Sequence, residues 1–302
     1  MILYSIIIPH YNSPDLLLRL LKTIPVREDL EVIVVDDNST NGVAELKVFE
    51  HRFPHVAFVY SQANGGAGKA RNLGLARATG RYLIFADADD FFNICFDDVL
   101  NDYINETADL IFFASNSVDT NNYQTSNRDE LFNPYVNNYN GVNDFKLRYE
   151  YAVPWGRMVS RDLVINNNIS FQETIRHNDV GFSYLVGYYA KTIKVDKRAI
   201  YCCTTREGSV STNVSLKALK DGLSVYQAKY DFLKSKGIDT GVPYYIGYAL
   251  YCLRNDKKQF NECLNYIVKL GWSKNVAMSK YRRLRMIRKL GDIKRMLRGI
   301  IS

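Results

Sequence analysis

No run of apolar residues in the sequence approaches the roughly 20 needed to span a bilayer. The apolar start, Tyr4 to Ile8, is interrupted at once by Pro9, His10 and Asn12, with no basic segment ahead of it. A secretory signal is therefore not expected, and the chain reads as soluble or peripheral. Cysteine is scarce: Cys95, Cys202, Cys203, Cys252 and Cys263 are odd in number, two are adjacent, and no C-x-x-C pair exists. That pattern argues against a disulfide framework or a structural zinc site, and it fits reduced thiols in the cytoplasm. The four His are scattered, without the His-Cys-acid cluster a catalytic zinc requires. A G-x-S-x-G nucleophile elbow is also missing.

Phosphate loops of the common kinds are absent too. Asn64-Gly65-Gly66-Ala67-Gly68-Lys69 fails the P-loop template, because Ala63 and Ala70 stand where Gly and Ser or Thr are needed. It fails the dinucleotide fingerprint because Arg71 occupies the third small position. Contact between this backbone and a phosphate stays open, but not as an NTPase or dehydrogenase.

The 302 residues, 47% apolar and 24% charged, suit one large α/β domain with a smaller appendage. The 22 Tyr outnumber the two Trp, and a phenol's apolar body and polar tip suit sugar-binding walls and interfaces alike. The net charge of +7 is unevenly spread. Residues 273–302 carry ten Lys or Arg against Asp292 alone, so the tail holds +9 and the remainder −2. Basic character thus belongs to the tail and says little about the main domain's ligand. Nucleic-acid binding, which the basic tail and the many Tyr would otherwise invite, is disfavoured by that acidic remainder and the lack of any nucleic-acid motif.

Strand and helix patterns alternate through the first half. Tyr4–Ile8, Glu31–Val35, Val56–Tyr60, Arg81–Ala86 and Asp109–Phe113 are short apolar or β-branched runs. Between them, helices are expected over 16–21 with Ser13 as N-cap, over 43–53, over 67–78 with Gly80 as C-cap glycine, and over 96–107. Such alternation means a mostly parallel central sheet flanked by helices, Rossmann-like, with ligands beyond the carboxyl ends of its strands. The polar residues at those ends, His10, Tyr11 and Asn12, then Asp36 and Asp37, then Asp87, Asp89 and Asp90, should converge on one crevice. Residues 118–139 are Asn-rich and weakly patterned, and 145–210 mix helix and strand signals. From Leu216 onward the pattern is helical, with breaks at Gly237, Gly241–Pro243, Gly271 and Gly291, which makes a C-terminal helical appendage.

Several acidic groups have two readings on residue chemistry alone. Asp87-Ala88-Asp89-Asp90 is either an acidic turn or a pair of alternate carboxylates holding a hard divalent cation against a diphosphate. Asp36-Asp37 is either a capping turn or an acceptor for base or ribose hydroxyls. Asp179, ahead of the helical stretch Val180–Ala190, is either an N-cap or a general base.

These segments together resemble the inverting family 2 glycosyltransferases of GT-A fold, from Ser5 to about Ser211. The opening strand and loop is Ser5–Asn12 (SIIIPHYN), and Val34–Ser39 (VVDDNS) is similar to the second acidic motif. Residues 64–74 (NGGAGKARNLG) and 78–90 (ATGRYLIFADADD) resemble the long central signature. Pro154–Arg157 (PWGR), Phe171–Glu173 (FQE) and Asn178-Asp179 resemble the acceptor-side half, and Arg206–Ser211 (REGSVS) a later bacterial segment. His10, Arg157 and Asn178 depart from the residues most often found at their positions. The Q-x-x-R-W motif of processive synthases is absent, which points to transfer of a single sugar.

The resemblance implies a domain over 1–212, with a donor half to about 115 and an acceptor half from about 116, followed by the helical region 213–302. It implies that Pro9, Tyr11, Asp36, Asp37, Arg71 and Asp87 bind the nucleotide sugar, a UDP-sugar donor of hexosyl or N-acetylhexosaminyl type. Asp89 and Asp87 would hold Mn²⁺ or Mg²⁺, Asp179 would be the catalytic base, and Asp90, Trp155 and Asn178 would stand on the acceptor side. The acceptor would be a carbohydrate, lipid-linked in cell-surface polysaccharide assembly, with residues 273–302 attached to the anionic cytoplasmic face of a membrane. A non-catalytic nucleotide-sugar binder, or a membrane-associated partner protein, on the same scaffold is the alternative. Within the tail, Ile293, Met296, Leu297 and Ile300 fall on one helical face, and Tyr281, Leu284, Ile287 and Leu290 form a looser stripe. The stripe suits either packing on the protein or an interfacial anchor.

Overall fold

The computed structural model describes residues 1–174, 176–206 and 215–301, with side chains through 289. Two compact units divide the chain, Met1–Ser209 and Val210–Ser302.

The first unit runs β1 (Tyr4–His10), α1 (Pro14–Leu21), β2 (Leu30–Asp36), α2 (Val43–Arg52), β3 (Val56–Tyr60), α3 (Gly66–Leu75), β4 (Tyr82–Phe85) and β5 (Phe91–Phe92). It continues with α4 (Phe96–Asp102), β6 (Leu110–Asp119), α5 (Asn133–Asn137), α6 (Phe145–Tyr149), β7 (Arg157–Ser160), α7 (Arg161–Asn166), α8 (Asn178–Tyr189) and β8 (Ile193–Thr205). One eight-stranded sheet has the order β3-β2-β1-β4-β7-β6-β8-β5. β1, β2, β3 and β4 are mutually parallel, β6 pairs with β8 in parallel, and β7 lies antiparallel between β4 and β6.

Side-chain alternation explains why β1 and β2 read as unbroken apolar runs. Ile6, Ile8, Val32 and Val34 enter one core with Leu17 and Leu20 of α1. Ile7, Ile33 and Val35 enter the opposite core with Ala70 of α3 and Phe182 of α8. Each strand is buried on both faces, the situation of a parallel sheet sandwiched by helices. Full burial of such a side chain contributes about 1.5–3 kcal/mol.

Three local expectations change. Ser13 stands at the N-cap of α1 but its side chain makes no capping hydrogen bond. Helix α3 ends at Leu75, so Gly80 is no C-cap. A Cβ at Gly80 would lie 2.6 Å from Ser5 Oγ and 2.7 Å from the Tyr4 carbonyl carbon, so this glycine permits β1 to approach closely. The weakly patterned stretch after residue 118 holds the end of β6, a 3-10 turn over Asp129–Leu131 and α5.

The second unit consists of α9 (Leu216–Ser235), α10 (Tyr244–Cys252), α11 (Lys257–Lys269) and α12 (Lys274–Ile301). Its core joins Leu219 and Leu223 of α9, Tyr245, Ile246, Ala249 and Leu250 of α10, Cys263, Leu264 and Ile267 of α11, and Ala277 of α12. Gly237, Gly241 and Gly271 take left-handed backbone between helices, as their breaking role requires. Gly291 does not break the chain, because α12 continues through it. Of the upstream stripe, Leu284 is buried and Ile287 is 52% exposed, so the stripe packs at its start and opens to solvent further on. The side chains of Leu290, Ile293, Met296, Leu297 and Ile300 lie outside the described residues, as do residues 207–211 of the later bacterial segment.

Candidate active site

Strand order places a switch point at β1: the chain builds β2 and β3 on one side of it, then returns to build β4 on the other. Ligands of open α/β sheets bind at the carboxyl ends of strands beside such a point. Register brings His10 opposite Asp36, and Ile7 opposite Phe85, so the ends of β1, β2 and β4 share one edge. Pro9 is buried within β1, and Tyr11, just beyond it, is 48% exposed.

The turn after β2 is closed upon itself. Asp36 lies 2.8 Å from His10 Nδ1 and accepts from the Ser39 hydroxyl at 2.5 Å and the Ser39 amide at 2.9 Å. His10 Nε2 accepts from the Ser13 amide at 3.2 Å, which makes Nδ1 the protonated donor to Asp36. Burial pushes the Asp36 carboxyl up, but hydrogen bonds from His10 and Ser39 outweigh it, and the net shift is downward. Asp37 accepts from the Gly65 amide at 2.9 Å and the Gly66 amide at 2.6 Å, and so takes the free N–H groups at the start of α3. The glycine-rich segment has a packing reason as well. A Cβ at Gly68 would meet the Gln172 carbonyl oxygen at 2.1 Å.

The turn after β4 is built differently. Asp87 and Asp89 are partly exposed, with side chains 22% and 26% accessible. Burial, reinforced by the charge of Asp87, holds the Asp89 carboxyl above its ordinary value. Arg206 Nη2 stands 3.6 Å from Asp89 Oδ2. The backbone of this turn is pinned by side chains: Arg19 and the Thr204 hydroxyl both donate to the Asp89 carbonyl, and the Tyr201 hydroxyl accepts from the Asp87 amide at 2.9 Å. Asp90 is fully buried. It accepts from the Tyr201 hydroxyl at 2.8 Å and the Thr204 amide at 2.7 Å. Burial and the adjacent Asp89 and Asp87 push its carboxyl well above the ordinary value.

Arg71 of α3 joins this turn to α8. Its Nη2 donates to Asp87 Oδ1 at 2.5 Å and its Nη1 to Asn178 Oδ1 at 2.8 Å, with the guanidinium over the Phe171 ring. Asn72, the next residue, exchanges hydrogen bonds with the Phe171 backbone. Asp179 therefore follows directly on a residue that Arg71 holds beside the crevice. Burial raises the Asp179 carboxyl to about 6, against the opposing charge of Arg71. His177, in left-handed backbone just before α8, is lowered to about 4 chiefly by burial.

Beneath Asp179 lies Arg157 of β7, fully buried. Its Nη2 donates to Ser183 Oγ at 2.7 Å, while Nε and Nη1 have no hydrogen-bond partner. Ser183 is one helical turn from Asp179 on the same face of α8, so the guanidinium sits below the carboxylate and each steadies the other's charge.

Of the residues expected at the site, Asp87, Arg71, Asn178 and Asp179 are brought together, with Asp89 beside Asp87. Two residues expected on the acceptor side are buried. Asp90 is bonded to β8, so its carboxyl ties the turn to the sheet. Trp155 is 1% exposed and stacks on Tyr201 at 5.5 Å within the core. Arg19, Tyr201 and Thr204 were not foreseen, nor was Arg128, which donates to the Thr204 carbonyl at 2.9 Å. Arg19 had one signal, a lone cation in the apolar helix α1, while Tyr201 and Thr204 lie more than 110 residues from the acids they hold.

Residues 5–166 match the family model described as Glycosyl transferase family 2. The chain is 28% identical over 224 residues to the uncharacterized glycosyltransferase YibD of Escherichia coli, covering 68% of this chain and 62% of that one. It thus spans about three fifths of the length of the curated relatives YibD and the Borreliella burgdorferi cholesterol galactosyltransferase. Among solved structures, Staphylococcus aureus TarS 1–349 with UDP-GlcNAc superposes with a TM-score of 0.67 at 21% identity, over 89% of this chain and 81% of that one. The mannosyltransferase PcManGT of Pyrobaculum calidifontis, with GDP-Man and Mn²⁺, gives 0.56 at 15% identity, over 94% and 80%. Both share the GT-A-like fold.

Proposed function

The chain belongs to glycosyl transferase family 2, and we propose that it transfers a single sugar from a UDP-sugar to an acceptor hydroxyl, with inversion. The observation that carries this reading is the Arg71 bridge, which sets the acids after β4 beside the start of α8. The solved TarS complex with UDP-GlcNAc supports the choice of nucleotide and a hexosyl or N-acetylhexosaminyl unit.

In this reading Pro9 and Tyr11 form the wall for the nucleotide, with the turn of Asp36 and Asp37 as the scaffold behind them and Asp87 toward the ribose. Arg71 keeps Asp87 and Asn178 in place. The acceptor oxygen attacks the anomeric carbon as the bond to the diphosphate oxygen breaks, and the hydroxyl proton passes to a carboxylate oxygen of Asp179. A carboxyl raised to about 6 remains ionised at neutral pH yet is basic enough to take that proton. Arg157 below it favours the ionised form and, through Ser183, holds the face of α8 that carries it.

Asp87 and Asp89 suit a divalent cation. Both are partly exposed, and a positive ion offsets the burial and the Asp87 charge that together raise Asp89. No cluster of three or more His, Cys, Asp or Glu able to hold a metal occurs among the described residues. Two carboxylates would therefore need the substrate's diphosphate oxygens to complete the shell. Mn²⁺ or Mg²⁺, when bound, neutralises the charge that grows on the departing nucleoside diphosphate.

No described helix is long and apolar enough to cross a membrane. The +9 of residues 273–302 supports placement of this segment on an anionic surface, where a carbohydrate acceptor on a lipid carrier would be presented.

The test is Asp179→Asn, which keeps shape but cannot accept the proton. Donor binding is expected to survive, while turnover falls by about 10² or more. Wild-type kcat/KM should rise with pH through an apparent pKa near 6, because the base must be ionised. Turnover by the variant at close to the wild-type rate would remove Asp179 from the mechanism.

A further inference from the structure

A second concave site lies wholly within the C-terminal unit. Tyr251, Arg254 and Asn255, from the end of α10 and the turn after it, face Tyr281, Arg285 and Lys289 of α12 across a cleft of about 340 Å³. The three α12 residues are spaced four apart, so they form one stripe along a single helix face. Every polar side chain that lines the cleft can donate a hydrogen bond, three of the six are cations and none is an acid.

The cations are gathered, not scattered. The Arg254 guanidinium stacks 4.1 Å from the Tyr251 ring centroid and donates to the Tyr251 carbonyl at 2.9 Å, which fixes its fork. Arg288 lies 6.0 Å from the same ring. No ion pair involves Arg254, Arg285, Arg288 or Lys289 among the described residues. Asp256, two residues after Arg254, is engaged with the Gln259 amide and side chain at the start of α11, and the side chain of Asp292, three residues after Lys289, lies outside the described residues. Like charges held together repel one another, and an anion in the cleft relieves that repulsion.

The neighbouring surface distinguishes among anions. Met286 and Ile287, one and two residues after Arg285, are 61% and 52% exposed on the flanking faces of the same helix. Apolar side chains next to a cationic cleft match a ligand with a phosphate at one end and hydrocarbon at the other.

We propose that this cleft binds the phosphate of an anionic lipid headgroup, with Arg254 and Arg285 gripping the oxygens and Met286 and Ile287 meeting the acyl region. The inference rests on the proposed placement of residues 273–302 at a membrane, and it names the site where a specific headgroup is recognised. Guanidinium forks match phosphate geometry in a way that lysine point charges do not. The cleft residues should therefore count for more than equal charge elsewhere in the unit.

The experiment is co-sedimentation of the full chain with phosphatidylcholine vesicles and with vesicles that also contain phosphatidylglycerol. Three proteins are compared: wild type, Arg254→Gln with Arg285→Gln, and a charge-matched control, Lys257→Gln with Lys258→Gln on α11. All substituted positions are exposed, and matched thermal melts check the fold. Wild type is expected on phosphatidylglycerol vesicles alone, the control to bind within about twofold of it, and the cleft variant to partition about tenfold or more weakly. If wild type binds and the cleft variant binds as the control does, the cleft is not the site, and tail attachment stands without it. If wild type ignores both vesicles, the membrane placement and the cleft proposal fall together. If millimolar inorganic phosphate raises the wild-type Tm but not the variant's, while neither binds vesicles, the ligand is a soluble phosphate and the lipid assignment is wrong.

Discussion

The turns after β2 and after β4 look alike as sequence and differ as structure. Each is a run of aspartates at the carboxyl end of a parallel strand. Asp36 and Asp37 find donors within the turn and the start of α3, from His10, Ser39, Gly65 and Gly66, and the Asp36 carboxyl shifts down. After β4 the donors go to the backbone and to Asp90, with Arg71 on one oxygen of Asp87, while Asp87 and Asp89 remain partly exposed and Asp89 shifts up. A carboxylate whose partners lie in the protein stabilises the fold, and one held beside a like charge at a crevice is poised for a cation. Position at a strand end is thus shared, and the location of the donors separates scaffold from site.

The sharpest way to break the comparison is at Asp89. With Asp89→Ala, sugar release from a UDP-sugar in the presence of Mn²⁺ should fall by about 10³ or more, as when a principal stabiliser of transition-state charge is lost. Stability should hold or improve at neutral pH. A raised carboxyl resists ionisation in the folded state, and that cost is present above its ordinary pKa and disappears as pH falls. A calorimetric Tm well below wild type would make Asp89 another scaffold residue.

A smaller effect is expected at Asp90, within the same turn. Tyr201→Phe removes the hydroxyl that donates to Asp90 and accepts from the Asp87 amide, leaving one buried oxygen of Asp90 and that amide without this partner. Urea unfolding should show a loss of about 1–3 kcal/mol. An unchanged midpoint would mean that the Asp90 network contributes nothing to the turn.

The smallest lies in the other turn. Asp37→Ala exposes the amides of Gly65 and Gly66 at the start of α3 and should cost about 0.5–2 kcal/mol, the scale of a lost helix cap. Donor affinity should change little. A large loss of affinity with unchanged stability would reverse the roles assigned to the two turns.

These contrasts also mark what was legible in the sequence. β1, β2, β3 and β4 were readable because strands buried on both faces leave continuous apolar runs, and their polar ends follow from the sheet's parallel direction. That α3 and α8 would converge was readable only through the family resemblance. Antiparallel insertion of β7 between β4 and β6 has no local signal, since Arg157–Ser160 is four residues long and its partners are set by tertiary packing. Asp90 and Asp89 are neighbours with identical side chains, and what divides them is Tyr201, 111 residues from Asp90. Trp155 was placed on the acceptor side by the resemblance alone, and its packing against Tyr201 and Phe132 has no local signal. Gly80 had the right place for a cap but serves the approach of β1.

Thermal shift of wild type, Asp89→Asn and Asp37→Asn against UDP-sugars with Mn²⁺ separates the two turns. A donor that binds only the native state stabilises it by about 2.7 kcal/mol at about 100 times its Kd. At least one UDP-sugar should raise the Tm of wild type and of Asp37→Asn with Mn²⁺ present, and the rise should be lost in Asp89→Asn or in EDTA. No shift with any UDP-sugar, or an equal shift in Asp89→Asn, would contradict the assignment of this crevice to a metal-held nucleotide sugar.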